Sequence, residues 1–227
     1  MQRRRQFLAS VGAGMGALGV LGLPGVAHAR GKWQTITKES GITVTTRMEK
    51  NRQFPTFRGT GRVSANIYDV LAVLQDAGRQ TEWMHNCVDA AVLKNVDDTT
   101  RIIYNRTGAP AGVSDRDCVL RAVVDIVTPG LEIKTRFRAI KSSLKPPVNG
   151  VVRMPVLEGH WYLVAMGDEK CLAEYQVNAD PAGKLPDWLV EQVSKDLPLH
   201  TIENLRKQVK KTKGEYPEFV AKMKAIG

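Results

Sequence analysis

The period of the hydrophobic pattern changes near residue 180, and this change constrains the fold more strongly than any other feature of the sequence. Before it, apolar and polar residues mostly alternate, as in half-buried strands, with a helical interruption around residues 66–84. After it, residues 186–212 carry apolar side chains at helical spacing. The pattern therefore predicts an α+β fold in which a long antiparallel sheet wraps around a C-terminal helix, leaving room for an apolar cavity.

Residues 132–140 indicate most clearly that the sheet is antiparallel. Ile133, Thr135 and Phe137 alternate there with charged residues, so one face meets a core and the other meets water. Most links between strands are also too short for the helices that connect parallel strands. The predicted strands are residues 33–38, 42–49, 54–65, 90–96, 100–106, 116–127, 132–140, 151–156, 160–166 and 171–177.

Three helices are predicted. Asn66 is placed to cap a helix that begins at Ile67, and a second, short helix over residues 79–84 carries Trp83. The helix over residues 186–212 contains Pro198, which removes one backbone hydrogen bond and predicts a kink. Lysines end this helix, where they form either a solvated face or a contact with a membrane surface.

The first 29 residues predict an export signal. Arg4 and Arg5 precede a glycine-rich apolar stretch over residues 11–26, and small residues surround a cleavage site after Ala29. The arginine pair followed by Phe-Leu is similar to the twin-arginine signal, and a general secretory signal is the alternative. A membrane anchor is less consistent, because about 16 apolar residues are fewer than the ~20 that span a bilayer.

Export defines the expected mature protein and its partners. We expect residues 1–29 to be removed and residues 30–227 to form a single domain in the periplasm. Removal of three arginines reduces the excess of basic over acidic residues from ten to seven. In the periplasm this excess does not indicate nucleic acid; it indicates transient contact with anionic membrane surfaces, or solubility alone.

No cofactor or metal is expected. The four histidines are dispersed and no two cysteines form a C-x-x-C pair, so the spacing typical of zinc ligands is absent from the sequence. Cys118 and Cys171 fall in predicted strands, where cysteine usually behaves as a small buried residue. A bridge between them is the alternative, because pairing depends on geometry that the sequence does not contain.

Several short motifs occur in one order between about residues 33 and 210. They are Phe57-Arg58-Gly59, Asp115-Arg116-Asp117-Cys118-Val119, Val152-Arg153-Met154 with Trp161, Tyr175 with residues 180–189, and Pro198 with Thr201, Leu205 and Arg206. Each is short, but in this order and spacing the set resembles the StAR-related lipid-transfer (START) domain of an exported bacterial protein.

The resemblance implies a helix-grip fold, an incomplete antiparallel barrel that grips its C-terminal helix. It also implies one lipid in the tunnel between them, admitted by movement of this helix, which contains Pro198, and of nearby loops. Residues 141–150 would form the loop beside the opening. The strand and helix pattern leads to the same architecture on its own, but it does not identify a ligand.

The sequence departs from the family at one internal position. Several relatives place a buried arginine where this chain has Ala122, and that arginine faces a carboxylate. Arg121 should point to the other face of its strand, and residues 100–106 contain no acid. The resemblance therefore implies a tunnel without the usual ion pair, in which other polar side chains recognise the ligand.

The residues expected to line the tunnel come from the inward strand face, from polar-tipped aromatic and amide side chains, and from the apolar stripe of the terminal helix. They are Trp83, Tyr104, Asn105, Cys118, Leu120, Ala122, Val124, Phe137, Trp161, Tyr175, Leu189, Val193 and Leu197.

Two groups of ionisable residues have competing interpretations. Asp115, Arg116 and Asp117 form either catalytic carboxylates around an arginine or a structural turn held by ion pairs. His85, His160 and His200 could transfer protons, but no nucleophile or paired acid lies near them in sequence, which favours structural roles.

These observations favour a monomeric, exported, non-enzymatic protein that binds and transfers one lipid or other hydrophobic small molecule. One alternative is an enzyme of the polyketide cyclase or aromatase type on the same fold. Another is a ligand-sensing accessory subunit of an envelope lipid transport system.

Overall fold

The computed structural model describes residues 31–183, 185 and 187–227; the predicted signal segment and its cleavage site at Ala29 lie outside them. No helix in the described ranges is long and apolar enough to cross a membrane. In chain order the elements are β1 Gln34–Glu39, β2 Ile42–Arg47, β3 Thr56–Val63, α1 Ile67–Gln75, a 3-10 helix Ala77–Glu82, β4 Cys87–Asn95, β5 Thr100–Thr107, β6 Arg116–Thr128, β7 Glu132–Ala139, β8 Val152–Arg153, β9 Val156–Ala165, β10 Cys171–Asp180, α2 Asp187–Lys211 and α3 Pro217–Ile226.

Ten strands of the described chain form one sheet in the order β1-β2-β3-β10-β9-β7-β6-β5-β4, with β8 beside β6. All neighbours along this order are antiparallel, and β8 alone pairs in parallel. The chain passes from β3 to the far edge of the sheet through α1 and the 3-10 helix. The α+β prediction, a long antiparallel sheet with a C-terminal helix packed on it, is confirmed.

Helix α1 begins where its sequence predicts. The Asn66 side chain accepts a hydrogen bond of 3.0 Å from the Tyr68 backbone N–H, which satisfies one of the free donors at the helix start. Val70 and Leu71 are completely buried, so this short helix closes one end of the core and does not lie on the surface.

Helix α2 lies against the inner face of β2 and β3. Its 25 residues span about 37 Å at 1.5 Å per residue, and Ile202 and Leu205 on its buried side are fully enclosed. Gly59 allows the close approach: a Cβ atom there would lie 2.9 Å from the Cβ of Pro198. Pro198 is inside the helix, as predicted.

Two parts of the C-terminal half differ from the predictions. The strand expected over residues 151–156 is reduced to β8, while β9 begins earlier than expected and runs over Val156–Ala165. Helix α3 was not predicted. It follows Gly214, starts with a proline at its first turn and buries only Met223, so its apolar signal is weak.

Cys87, Cys118 and Cys171 are free and buried, so the alternative of a bridge between Cys118 and Cys171 is not adopted. Burial raises the pKa of the Cys87 thiol to about 11 and that of Cys171 to about 12. The thiols therefore stay protonated and behave as small apolar side chains.

Candidate functional site

A cavity of about 260 Å³ lies between the inner face of the sheet and the N-terminal half of α2. Strands β5, β6, β7, β9 and β10 form its floor, and Leu189, Val193 and Leu197 of α2 form its roof. The loops around residues 84–86 and 107–110 complete its rim. Most of the lining is apolar, so the cavity suits a hydrophobic molecule.

Strand register arranges the floor in rows that cross the sheet. Thr135 of β7 pairs with Trp161 of β9, which pairs with Tyr175 of β10. In the next row Phe137 pairs with Gly159, where a Cβ atom would lie 2.8 Å from the Phe137 Cζ. Glycine at this position therefore makes room for the Phe137 ring.

Aromatic rings form one wall of the cavity. The Trp161 and Tyr175 rings stack with their centroids 4.5 Å apart at 21°, and Phe137 lies 6.2 Å from Tyr175. Trp83 packs against Trp161 at 6.2 Å. Stacked rings of this size resist deformation, so this wall is a rigid surface against which a ligand can pack.

The polar groups of the floor are uncharged. Thr135 is 5% exposed and its buried hydroxyl has no hydrogen-bond partner. The Tyr175 hydroxyl also has no partner among the described residues, and burial raises its pKa well above the ordinary value. Asn105, in contrast, donates a hydrogen bond of 3.1 Å to Gln80 Oε1.

Charged side chains lie at the rim of the cavity. Arg101 donates to the backbone carbonyl of Gln75, and its burial lowers its pKa. Arg116 donates to the carbonyls of Ser114 and Pro181. Since both guanidinium groups bind backbone oxygens, the described lining residues form no ion pair with one another.

A pair of histidines joins the rim to α2. The ring of His85, which lines the cavity, lies 5.0 Å from the ring of His200, and His200 Nδ1 lies 2.9 Å from Glu203 Oε2. Burial lowers the pKa of His85, and the nearby His200 lowers it further, while Asp196 acts in the opposite direction. His85 therefore favours its neutral form in the closed arrangement.

The departure at Ala122 has the geometry that strand alternation predicts. Ala122 lines the cavity, whereas Arg121 is exposed on the outer face of β6. The residue directly opposite Ala122 on β5 is Arg101, which binds Gln75 at the rim as described. The described part of the cavity thus contains no buried arginine–carboxylate pair.

Most of the residues predicted to line the tunnel line this cavity, and their contact with a ligand stays a prediction. They are Asn105, Leu120, Ala122, Phe137, Trp161, Tyr175, Leu189, Val193 and Leu197.

The remaining four predicted residues do not line the cavity. Cys118 and Val124 are on the inward face of β6 but are buried in the packed core, and Trp83 lies behind Trp161. Tyr104 was placed wrongly: it alternates with Asn105, so it faces the opposite side of β5, where its hydroxyl contacts Asp117 Oδ2 at 3.1 Å. Adjacent strand residues cannot both face one cavity.

The Asp115-Arg116-Asp117 motif is structural. Asp117 is 1% exposed and accepts from Arg153 Nε at 2.6 Å. Asp115 accepts from the backbone N–H of Ala109 and from Arg106, and these two contacts lower its pKa. The carboxylates therefore hold β6 to the loop before β8 and to the end of β5, as the ion-pair interpretation predicted.

Several lining residues were not among those predicted. Thr135 could have been found, because the alternation of residues 132–140 already placed it on the inward face. Gln80, Met84, Met154 and Leu157 also line the cavity, but they belong to segments whose position depends on packing between distant elements. No cluster of three or more potential metal ligands occurs in the described ranges.

The fold and cavity define a class of protein: an antiparallel sheet closed by a C-terminal helix over an apolar internal site. Comparison with known proteins identifies the family. The START domain family model matches residues 25–214, and the chain belongs to this family.

Individual relatives agree with this assignment. A STAR-related lipid transfer protein fragment from Xanthomonas axonopodis is 31% identical, with a TM-score of 0.71 over 78% of this chain and 98% of the fragment. An uncharacterised protein of Pseudomonas aeruginosa is 27% identical over 86% of this chain and 95% of its own length. Human StAR-related lipid transfer protein 5 is 22% identical, with a TM-score of 0.72 over 79% of this chain and 86% of that structure, and shares the fold.

Proposed function

We propose that this protein is an exported carrier that holds one hydrophobic molecule in the cavity under α2 and exchanges it with membranes. The observation that carries the proposal is the apolar cavity roofed by a single helix half. Its membership of the START family and its similarity to the Xanthomonas lipid transfer protein support the same function.

Apolar burial is sufficient to retain such a ligand. Each buried CH₂ group contributes about 0.8 kcal/mol, so a chain of a dozen carbons contributes roughly 10 kcal/mol before the costs of association. A membrane offers the same chain a comparable apolar environment, so exchange there is thermodynamically balanced.

The N-terminal half of α2 acts as the gate. The cavity of about 260 Å³ is below the ~300–1,000 Å³ typical of ligand sites, so admission of a lipid requires outward movement of the roof. Pro198 interrupts the helix at the end of this half. Trp188, which is 56% exposed, and Val193 present apolar surface beside the cavity, where contact with a bilayer would stabilise the open form.

We propose that the cavity has a binding role and no catalytic role. The ionisable groups on its wall are at the rim, and the two arginines there are engaged by backbone carbonyls. Catalysis would require such groups to converge on one reacting position. Rapid transfer between vesicles would distinguish a carrier from a sensory subunit, which would bind the ligand without delivering it.

The test uses the full chain, expressed with its N-terminal segment in a bacterium. We expect periplasmic protein whose mass begins at Arg30, and native mass spectrometry should show one bound lipid that is released on denaturation. A ligand-free mass, with no uptake from vesicles of mixed lipids, would contradict the carrier function. Retention of residues 1–29 in the cytoplasm would contradict export alone.

A further inference from the structure

The row formed by Thr135, Trp161 and Tyr175 contains polar atoms that the protein itself leaves unbonded. The Thr135 hydroxyl is buried without a partner, and the Trp161 indole N–H and Tyr175 hydroxyl have none among the described residues. Hydrogen-bonding groups in protein interiors are almost always satisfied. Three such atoms in one row at the wall of a cavity therefore indicate a ligand with a matching polar group.

The three residues are close enough to act on one group. They are direct partners on the adjacent strands β7, β9 and β10, and adjacent strands are about 4.8 Å apart. A single oxygen atom or hydroxyl group above this row can reach two of the side chains. The stacked rings of Trp161 and Tyr175 hold two of these groups in fixed positions.

The surroundings of the row exclude a charged ligand group. Its neighbours in register are Val124 on β6 and Gly59 on β3, and neither carries a charge. Arg101 and Arg116, at the rim, already donate to backbone carbonyls. A carboxylate or phosphate at the row would be a buried charge without a counterion, which is strongly unfavourable.

We infer that the cavity takes a neutral lipid with one hydroxyl or carbonyl oxygen, inserted oxygen-first so that Thr135 and Tyr175 hydrogen-bond to it. This inference rests on the proposed carrier function and specifies its ligand class. The threonine hydroxyl can donate or accept, and the tyrosine hydroxyl can do the same, so both an alcohol and a ketone fit.

The test compares four ligands with the same chain length: 1-decanol, 2-decanone, decane and decanoate. Each is titrated against the mature domain loaded with the neutral fluorescent probe N-phenyl-1-naphthylamine, and its affinity is obtained from displacement. We expect the alcohol and the ketone to bind about three- to tenfold more tightly than decane, the range for one net hydrogen bond, and decanoate to bind most weakly.

The variants are a double substitution in the row, Thr135→Val with Tyr175→Phe, and a matched double substitution on the outer face, Thr60→Val with Tyr162→Phe. Both preserve side-chain shape. The row variant should bind the probe and decane as the wild type does but lose its preference for the alcohol and the ketone. The outer-face variant should keep that preference.

The possible results separate the two proposals. If the probe and decane bind but the wild type does not prefer the alcohol or the ketone, or prefers decanoate, the inference is wrong and the carrier function stands. The inference is also wrong if the row variant keeps the preference. If neither the probe nor any of the four ligands binds, the carrier function itself is contradicted.

Discussion

Gly59 determines how closely α2 approaches the sheet. A Cβ atom at this position would lie 2.9 Å from the Pro198 Cβ and 3.2 Å from its backbone oxygen. A proline ring and a backbone carbonyl cannot rotate away as a flexible side chain can. The absence of a side chain at Gly59 is therefore a condition for the helix to close over the cavity.

We expect Gly59→Ala to reduce the free energy of unfolding by about 1–3 kcal/mol, the usual cost of overpacking a core. Chemical denaturation measures the change. Gly78→Ala is the matched control, because its Cβ would lie 3.6 Å from the nearest atom, an Asp76 side-chain oxygen. Equal stability of the two variants would show that α2 adapts without cost.

Asp117 and Asp125 test burial on the same strand, since each forms an ion pair with an arginine. Asp117 is almost completely buried, whereas Asp125 and its partner Arg136 are on the outer face and partly exposed. We expect Asp117→Asn to cost about 2–4 kcal/mol of stability and Asp125→Asn less than about 1 kcal/mol. Denaturation curves of both variants provide the comparison, and a larger loss for Asp125→Asn would contradict it.

At the scale of secondary-structure elements, α2 has two halves with different contacts. The C-terminal half is anchored: Leu205 is fully buried, and Arg206 donates to the backbone carbonyls of Arg62 and Ser40. The N-terminal half covers the cavity and exposes Trp188 and Val193. Pro198 lies at the boundary, so the first half can move while the second stays in place.

Pro198→Ala should restore the missing backbone hydrogen bond and stiffen this boundary. We expect lipid transfer between vesicles to slow by about three- to tenfold, the kinetic equivalent of roughly one hydrogen bond. Pro217→Ala is the control, since Pro217 occupies the first turn of α3, where no backbone hydrogen bond is lost. Unchanged transfer in Pro198→Ala would place the moving segment elsewhere.

The contact between His85 and His200 should make closure of α2 depend on pH. Burial and His200 hold the pKa of His85 below its ordinary value of 6.5, with Asp196 opposing, and His200 also faces Glu203. The unfolded state therefore binds the His85 proton more tightly, so stability is complete above pH 6.5 and falls as the pH decreases below it. Loss of protein–protein packing should appear first between the rim loop and α2.

Melting temperatures from pH 7.5 to 5.5 measure this effect. We expect the wild type to lose more stability over this range than His85→Gln, which cannot become charged, and amide exchange in residues 187–203 to accelerate at the acidic end. His160→Gln is the control, because His160 faces Glu174 on the outer surface of the sheet. Parallel curves for wild type and His85→Gln would contradict the prediction.

At the scale of the whole molecule, the cavity replaces part of the hydrophobic core between α2 and the sheet. A ligand that fills it acts as additional core and binds the folded state alone, so it stabilises that state by mass action. At 100 times its dissociation constant this contributes about 2.7 kcal/mol, which raises the melting temperature by roughly 5–10 °C for a domain of this size.

Filling the cavity with a side chain should abolish this shift. We expect the ligand-dependent rise in melting temperature to disappear in Ala122→Phe, whose ring would occupy the cavity, and to persist in Val123→Phe, which places the same ring on the outer face of β6. Thermal unfolding with and without 1-decanol measures both. Persistence of the full shift in Ala122→Phe would place the ligand outside the cavity.

The sequence by itself determined the features that depend on neighbouring residues. Alternation of apolar and charged side chains determined the strands and the inward positions of Leu120, Ala122 and Phe137. Asn66 determined the start of α1, and helical spacing determined most of α2, because capping and periodicity are local properties of the chain. The ordered motifs added the family, and with it the expected single ligand.

Only the tertiary structure decided how these elements meet. The row of Thr135, Trp161 and Tyr175 depends on the register of three strands, and a shift of one residue would turn each side chain to the other face. Whether Cys118 lines the cavity or is buried beside it, and which face of β5 carries Tyr104, likewise depends on pairing and packing with distant segments. Strand register and helix packing are set by contacts between residues far apart in sequence, and no local pattern contains them.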